Sequence, residues 1–190
     1  MEDSLLSTFF LVILGLIIVV IVWGIAVYNK LVKLRTGKDE AWSGIEVQLK
    51  RRADLIPNLM ETVKGYMAHE KDVLKAVTES RSRAGSAATS ADRMKAEAAL
   101  SLGLGRLLAV AESYPDLKAN ENFLELQKQL ESIEDQLQMS RRYYNGTVRN
   151  LNTAIQVFPN SIIASRYHFT EADFFEIEDP KDRELPQVKF

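Results

Sequence analysis

The sequence predicts an all-α protein: an N-terminal transmembrane helix followed by an antiparallel bundle of three to four long, coiled-coil-like helices. Three observations predict it. The stretch from Ser4 to Asn29 contains no charged residue and is almost wholly apolar. Apolar residues then recur in steps of three and four over two long stretches, the pattern of helices packed in a bundle. Small, polar and proline-containing clusters fall between these stretches, where turns belong.

The opening stretch is long enough to cross a bilayer. About 20 apolar residues at ~1.5 Å each span a hydrocarbon core of ~30 Å, and in lipid the run must be helical to satisfy its own backbone. Leu5, Phe9, Leu14, Ile18 and Ile21 are taken as lipid-facing, with Trp23 and Tyr28 as interface anchors. A cleaved signal peptide needs a basic start and a shorter apolar core. Here the chain starts Met1-Glu2-Asp3 and the run is too long. Lys30, Lys33, Arg35 and Lys38 follow the run, whereas nothing basic precedes it. Positive charge stays on the cytoplasmic side. The expected location is therefore the bacterial inner membrane, single-pass, with the N-terminus outside and the helical domain in the cytoplasm.

The first long helix is expected from about Asp39 to Ala84. Its stripe runs Trp42, Ile45, Leu49, Arg52, Ile56, Leu59, Val63, Tyr66, Glu70, Val73 and Val77, with Ala53, Met60, Met67 and Leu74 forming a second row beside it. Pro57 removes a backbone donor at a cost of ~3 kcal/mol. The stripe keeps its phase past it, so one helix kinked at Pro57 is expected. Arg52 and Glu70 read as long side chains snorkelling at the stripe's edge. Lys50-Arg51-Arg52 reads as a solvated basic face.

Gly85 to Ala91 is a loop, and Thr89 with Asp92 fits a capping start for a middle helix reaching Glu112. Gly103 and Gly105 inside that helix either let a neighbour approach or form a turn; SLGLGRLL lacks the features of a phosphate loop. Tyr114-Pro115 ends it. Asn120 caps the last long helix, whose row is Phe123, Leu126, Leu130, Ile133, Leu137, Ser140, Tyr144, Val148, Leu151, Ile155 and Phe158. From these rows the expected bundle core is Trp42, Ile45, Leu49, Ile56, Leu59, Val63, Leu126, Leu130, Ile133, Leu137, Leu151 and Ile155. Phe158-Pro159 stops the helix. The segment after it carries Phe169, Phe174 and Phe175, and is expected to fold back onto the bundle. The expected organisation is thus 1–29 N-terminus and span, 30–159 bundle, 160–178 aromatic segment, and 179–190 a disordered acidic tail.

Charge and chemistry narrow the function. The net charge is −2, and between Asp39 and Phe169 the 17 basic residues match 17 acidic ones. A neutral body with an acidic tail argues against nucleic acid. The absence of cysteine excludes disulfides and thiolate chemistry. His69 and His168 are the two histidines, and His69-Glu70 lacks the second histidine of a zinc helix. The acids Glu121, Glu125, Glu131, Glu134 and Asp135 read as a solvated face. No catalytic residue, metal ligand or cofactor site is expected.

Several segments resemble the LemA family: Tyr28 to Arg35, Ala41-Trp42, VQLKRRADLIPNL at Val47–Leu59, Val63 to Tyr66, His69-Glu70, Tyr114 to Asn120, Asn122 to Leu124, Arg142 to Asn145, and Phe158-Pro159. The resemblance extends over roughly Phe9 to Glu176. It implies a bacterial membrane-anchored protein with an antiparallel, mostly four-helix bundle, and no known enzymatic activity, cofactor or catalytic residue. Asn145-Gly146 is a minor departure, since an acidic residue is expected after that asparagine.

The expected function is a non-enzymatic structural or scaffolding protein that contacts membrane lipid and self-assembles, the second row at Ala53, Met60, Met67 and Leu74 supplying the homo-oligomer surface. The alternative is an adaptor recruiting a protein partner through the bundle end or the aromatics around Phe169, Phe174 and Phe175.

Overall fold

The computed structural model describes the backbone of residues 2–175 and side chains from Leu6 onward. Six helices and no strand occur among the described residues: α1 (Glu2–Lys64), α2 (Lys71–Ser86), α3 (Ser90–Ala111), α4 (Pro115–Lys118), α5 (Glu121–Gln156) and α6 (Asn160–Arg166). They form two compact units. Residues 2–42 and Tyr143–Phe174 make unit 1; Ser43–Arg142 with Phe175 make unit 2. Helices α1 and α5 contribute to both. The expected tail 179–190, and the end of the aromatic segment at 176–178, lie outside the described residues.

Unit 2 packs four long helical segments, from α1, α2, α3 and α5, with the one-turn α4 between α3 and α5. α1 and α5 are antiparallel: Asn120 donates to the Tyr66 hydroxyl at one end, and Arg52 meets Glu134 at the other. α2 folds back on α1, and α3 folds back on α2, with Val77 of α2 packed beside Gly103 of α3. A Cβ at Gly103 would lie 3.5 Å from Val77 Cγ2, which is ordinary contact. Gly103 therefore marks a close approach, and neither it nor Gly105 forms a turn. The core comprises Ile56, Leu59, Met60, Val63, Met67, Val77, Leu100, Leu104, Leu107, Leu117, Phe123 and Leu130 among others.

The first long helix is not continuous to Ala84. It runs through Pro57 and stops at Lys64; residues 65–70 form a turn, and a separate α2 begins at Lys71. Two local facts explain both outcomes. Pro57 has no N–H for the carbonyl of Ala53, but Arg81 Nε of α2 donates to that oxygen at 2.9 Å, so the helix crosses the proline with its carbonyl satisfied. After Lys64 the Val63 carbonyl accepts from both Tyr66 and Met67, which tightens the chain into a turn, and buried Met67 plugs the bundle end. Tyr66 and Glu70 therefore belong to the turn and its edge rather than to a helix stripe.

The caps follow the residues. Thr89 Oγ1 accepts from the Asp92 N–H at 3.1 Å and starts α3, and Asn120 Oδ1 accepts from the Phe123 N–H at 3.0 Å and starts α5. Glu70 precedes α2 without capping it, because its carboxylate accepts from the Tyr114 hydroxyl at 3.0 Å. The Phe158–Pro159 peptide bond is cis.

Candidate functional site

Two features stand out chemically, one in each unit. The first is the apolar end of unit 1. Helix α1 is long and apolar enough to cross a membrane. Every described side chain from Leu6 to Val22 is exposed, Phe9, Leu14, Ile18 and Ile21 among them. Leu5 is helical, but its side chain is outside the described ones. Packing begins at Trp23, which lies beside a small core of Val27, Leu31, Ala154, Ala164 and Phe169, although Ile25 is still 56% exposed. The anchor is thus the same helix that carries the core of unit 1.

Tyr28 lies at this level. Its ring meets the Tyr167 ring at 4.8 Å, tilted by 59°, and meets Phe169 edge-on at 5.8 Å. Arg35 lies over the Phe169 ring, 5.2 Å from its centre, a cation–π contact. Further along, Trp42 meets Tyr144 edge-on at 5.4 Å. The residues after α6 are held by specific bonds. The Asn152 amide both donates to the Ala172 carbonyl and accepts from its N–H, each at 2.9 Å. Tyr144 donates its hydroxyl to the Asp173 carbonyl. Burial first, then the charges of Asp173 and Asp39, push the Tyr144 phenol above its ordinary pKa.

The end of α6 shows why the chain folds back here. The Phe169 N–H bonds to the Ala164 carbonyl at 2.9 Å and the His168 N–H to the Ser165 carbonyl at 3.3 Å, with His168 at φ 55°. This is a Schellman closure with a left-handed residue at the position that glycine usually fills. It turns Phe169 onto Ala164 in the core. Of the three tail aromatics, Phe169 and Phe175 are buried and Phe174 is exposed. In unit 2, Phe175 lies beneath Arg141 at 4.6 Å.

The second feature is a buried ion cluster in unit 2. Arg52 is fully buried and is not a snorkelling edge residue. Its guanidinium pairs with Glu97 of α3 and Glu134 of α5, and donates to Ser101 Oγ at 2.7 Å. Arg93 holds the other oxygen of Glu97 at 3.0 Å. Burial, followed by the nearby Arg52 charge, lowers the Arg141 pKa. Gln48 Oε1 and the Nε atoms of Arg52 and Arg141 are buried without a hydrogen-bond partner among the described residues. Lys50 and Arg51 do stay on the surface, where Lys50 pairs with Asp54 at 3.3 Å. So the basic triplet divides: two solvated residues and one core ion.

Glu97 has no role in the sequence analysis, and Glu134, expected on a solvated face, instead pairs with buried Arg52. A signal for Glu97 existed: Met94, Glu97, Ser101, Leu104 and Leu108 lie in steps of three and four, so Glu97 and Ser101 occupy a core row. Glu134 is within one turn of Leu130 and Leu137 and reaches inward from the row's edge. Among the expected core residues, Ile45, Leu49, Ile56, Leu59, Val63, Leu130, Leu137 and Leu151 are buried, while Trp42, Leu126, Ile133 and Ile155 are half-buried. In the expected oligomer row, Met60 and Met67 lie in the core of unit 2, and Ala53 and Leu74 are half-buried. That row is consumed within the chain.

In the ion cluster the Ser101 hydroxyl and the Glu97 and Glu134 carboxylates are all bonded to the one guanidinium of Arg52. Among the described residues no group of three or more His, Asp or Glu converges as a metal site. A surface depression in unit 2 is lined by Asn58, Glu61, Thr62, Asn122, Glu125 and Leu126, and the Thr62 hydroxyl there donates to the Asn58 carbonyl at 2.9 Å.

An all-α chain whose first helix exposes a bilayer-length apolar surface is a membrane-associated helical protein. The family model described as "LemA family" matches residues 41–190, and the chain belongs to that family. It is 25% identical over 154 residues to Protein LemA of Metamycoplasma hominis, covering 80% of this chain and 69% of that protein. It is 21% identical over 189 residues to Magnetosome protein MamQ of Magnetospirillum gryphiswaldense, covering 85% of this chain and 70% of that one. Magnetosome protein MamQ 2 of Paramagnetospirillum magneticum is 22% identical over the same length and shares.

Proposed function

We propose that this chain is a non-enzymatic structural protein of the bacterial inner membrane, a scaffold anchored by α1 with its N-terminus outside and the helical domain in the cytoplasm. One observation carries the reading: the apolar anchor and the core-forming residues Val27 and Leu31 belong to a single helix, clamped by α5 and α6. An anchor built into a packed unit fixes that unit at the membrane, which suits a positioning role better than a loose tether does. The orientation rests on Lys30, Lys33, Arg35 and Lys38 after the span, with no basic residue before it. Self-assembly is part of the proposal, but it draws on exposed surface such as Leu102 and Leu124, since Met60 and Met67 are buried.

The alternative is an adaptor that recruits a protein partner through the bundle end or the tail aromatics, of which Phe174 is exposed while Phe169 and Phe175 are buried. Protease treatment of intact cells tests the orientation: cleavage of the bundle from outside overturns it. Light scattering in mild detergent across a concentration range tests self-assembly, and a concentration-independent monomer removes that part of the proposal.

A further inference from the structure

The corner between α5 and α6 carries an apolar surface that nothing among the described residues covers. We infer that this corner, Val157-Phe158-Pro159 with Ile162, is a second membrane contact that dips into the headgroup region of the same leaflet from which α1 emerges. The inference rests on the reading of α1 as a membrane span.

Position comes first. α5 runs antiparallel to α1 within unit 1: Tyr144 meets Trp42, and ten residues on, Ala154 shares a core with Leu31 and Val27. The C-terminal end of α5 therefore points toward the apolar part of α1. The chain turns at Phe158–Pro159, and Ile163 of α6 comes to 3.7 Å from where a Cβ on Gly24 would sit. It then climbs back, with Tyr167 against Tyr28 and Phe169 beside Arg35. Counting ~20 residues from Leu6 puts the hydrocarbon edge near Ile25. Ile163 contacts α1 at that depth, so the corner around it is at the bilayer interface.

Composition agrees. No charged residue occurs from 150 to 165, and Arg149 and Arg166 bracket this stretch. Both arginines are exposed, as are Lys30, Lys33 and Arg35 of α1. Phe158 is 80% exposed and Ile162 56%, with Val157 and Tyr167 exposed beside them. An apolar tip flanked along the chain by cations is the pattern of an interfacial element facing anionic headgroups, with tyrosines at the boundary; the acid beside it, Glu171, accepts from the Gln156 amide at 2.9 Å. A protein partner would need no such match in depth to the end of the span.

The absence of native cysteine makes the test direct. Single variants Phe158→Cys, Ile162→Cys, Gly15→Cys and Met139→Cys of the full chain are labelled with an environment-sensitive fluorophore. They are then reconstituted in vesicles of phosphatidylcholine and phosphatidylglycerol. Lipids carrying a nitroxide near the headgroup or deep in the acyl chain serve as quenchers, with iodide as the aqueous one. The expected result is that labels at 158 and 162 lose most of their fluorescence to the shallow lipid quencher. The label at 15 should respond to the deep quencher and that at 139 to iodide. If 158 and 162 respond to iodide alone while 15 is quenched by lipid, the corner contact is overturned and the span stands. If 158 and 162 are shielded from lipid and water alike, protein covers the corner and the inference is also overturned. If 15 escapes the lipid quenchers, the span reading fails and takes this inference with it.

Discussion

Replacing Arg52 with methionine removes the centre of the buried cluster while keeping much of the side chain's volume. In the native chain the guanidinium joins three helices: it pairs with Glu97 and Glu134 and donates to Ser101 at 2.7 Å. After the change, Glu97 keeps only Arg93 among its described ionic partners, at 3.0 Å, with its own side chain 1% exposed. Breaking a buried pair by removing one partner costs ~3–5 kcal/mol, since the remaining charge is left uncompensated. Loss of the Ser101 bond falls within that range because hydroxyl Ser101 is only half-buried. The pair itself is a different matter: a desolvated ion pair and a well-packed apolar replacement are often equally stable. The double variant Arg52→Met with Glu97→Met should therefore recover most of what the single variant loses. Guanidinium titrations of the full chain in mild detergent, followed by circular dichroism, give both numbers. A loss under ~1 kcal/mol for Arg52→Met, or simple additivity in the double variant, refutes the idea that the loss of Arg52 from the buried Glu97 charge, left with Arg93, sets the cost.

Three further outcomes are expected. Arg81→Met should cost about 1 kcal/mol, because the Ala53 carbonyl loses its donor, and that cost should vanish in a Pro57→Ala background, where residue 57 supplies an N–H; equal costs in both backgrounds disprove the link. His168→Gly should raise stability by roughly 0.5–1 kcal/mol by relieving the left-handed residue at φ 55°, read as a higher melting midpoint, and a lower midpoint disproves it. Tyr144 and Tyr114 both have phenols raised above their ordinary value, Tyr144 by burial and Tyr114 by the hydrogen bond to Glu70. A raised folded pKa gives stability that is complete below pH ~10 and is lost as pH climbs through the folded value. Alkaline melts should therefore fall more steeply for the native chain than for the Tyr114→Phe, Tyr144→Phe pair, and parallel curves refute this.

Much of the architecture is legible in the residues. The span follows from charge-free length, the caps at Thr89 and Asn120 from their own side chains, and the core rows of α1 and α5 from spacing. The break after Lys64 is not legible, for a physical reason. Apolar spacing reports which side chains are buried, and Met67, Val73 and Val77 face the core on either side of a reversal just as they would on one helix. Pro57, the obvious breaker, is neutralised by Arg81, a partner 24 positions away that no local window contains. The same limit hid the ion cluster. Arg52 alone suggests an edge position, and only the convergence of α1, α3 and α5 makes it a core residue.

The composition of unit 1 has a consequence for how the chain is made. Its core pairs Leu31 with Ala154, 123 positions apart (154 − 31). At a synthesis rate of ~5–20 residues per second, α1 emerges from the ribosome ~6–25 s before the segment that covers Val27 and Leu31. The span is available for insertion during that interval, while its extension beyond the bilayer still lacks its packing partner. Unit 1 therefore closes last, when the C-terminal part of α5 and α6 arrive at a helix already held in the membrane. A chain arrested before residue 150 would be anchored but would present Val27 and Leu31 as a bare apolar stripe, a surface that quality-control proteases and chaperones can read.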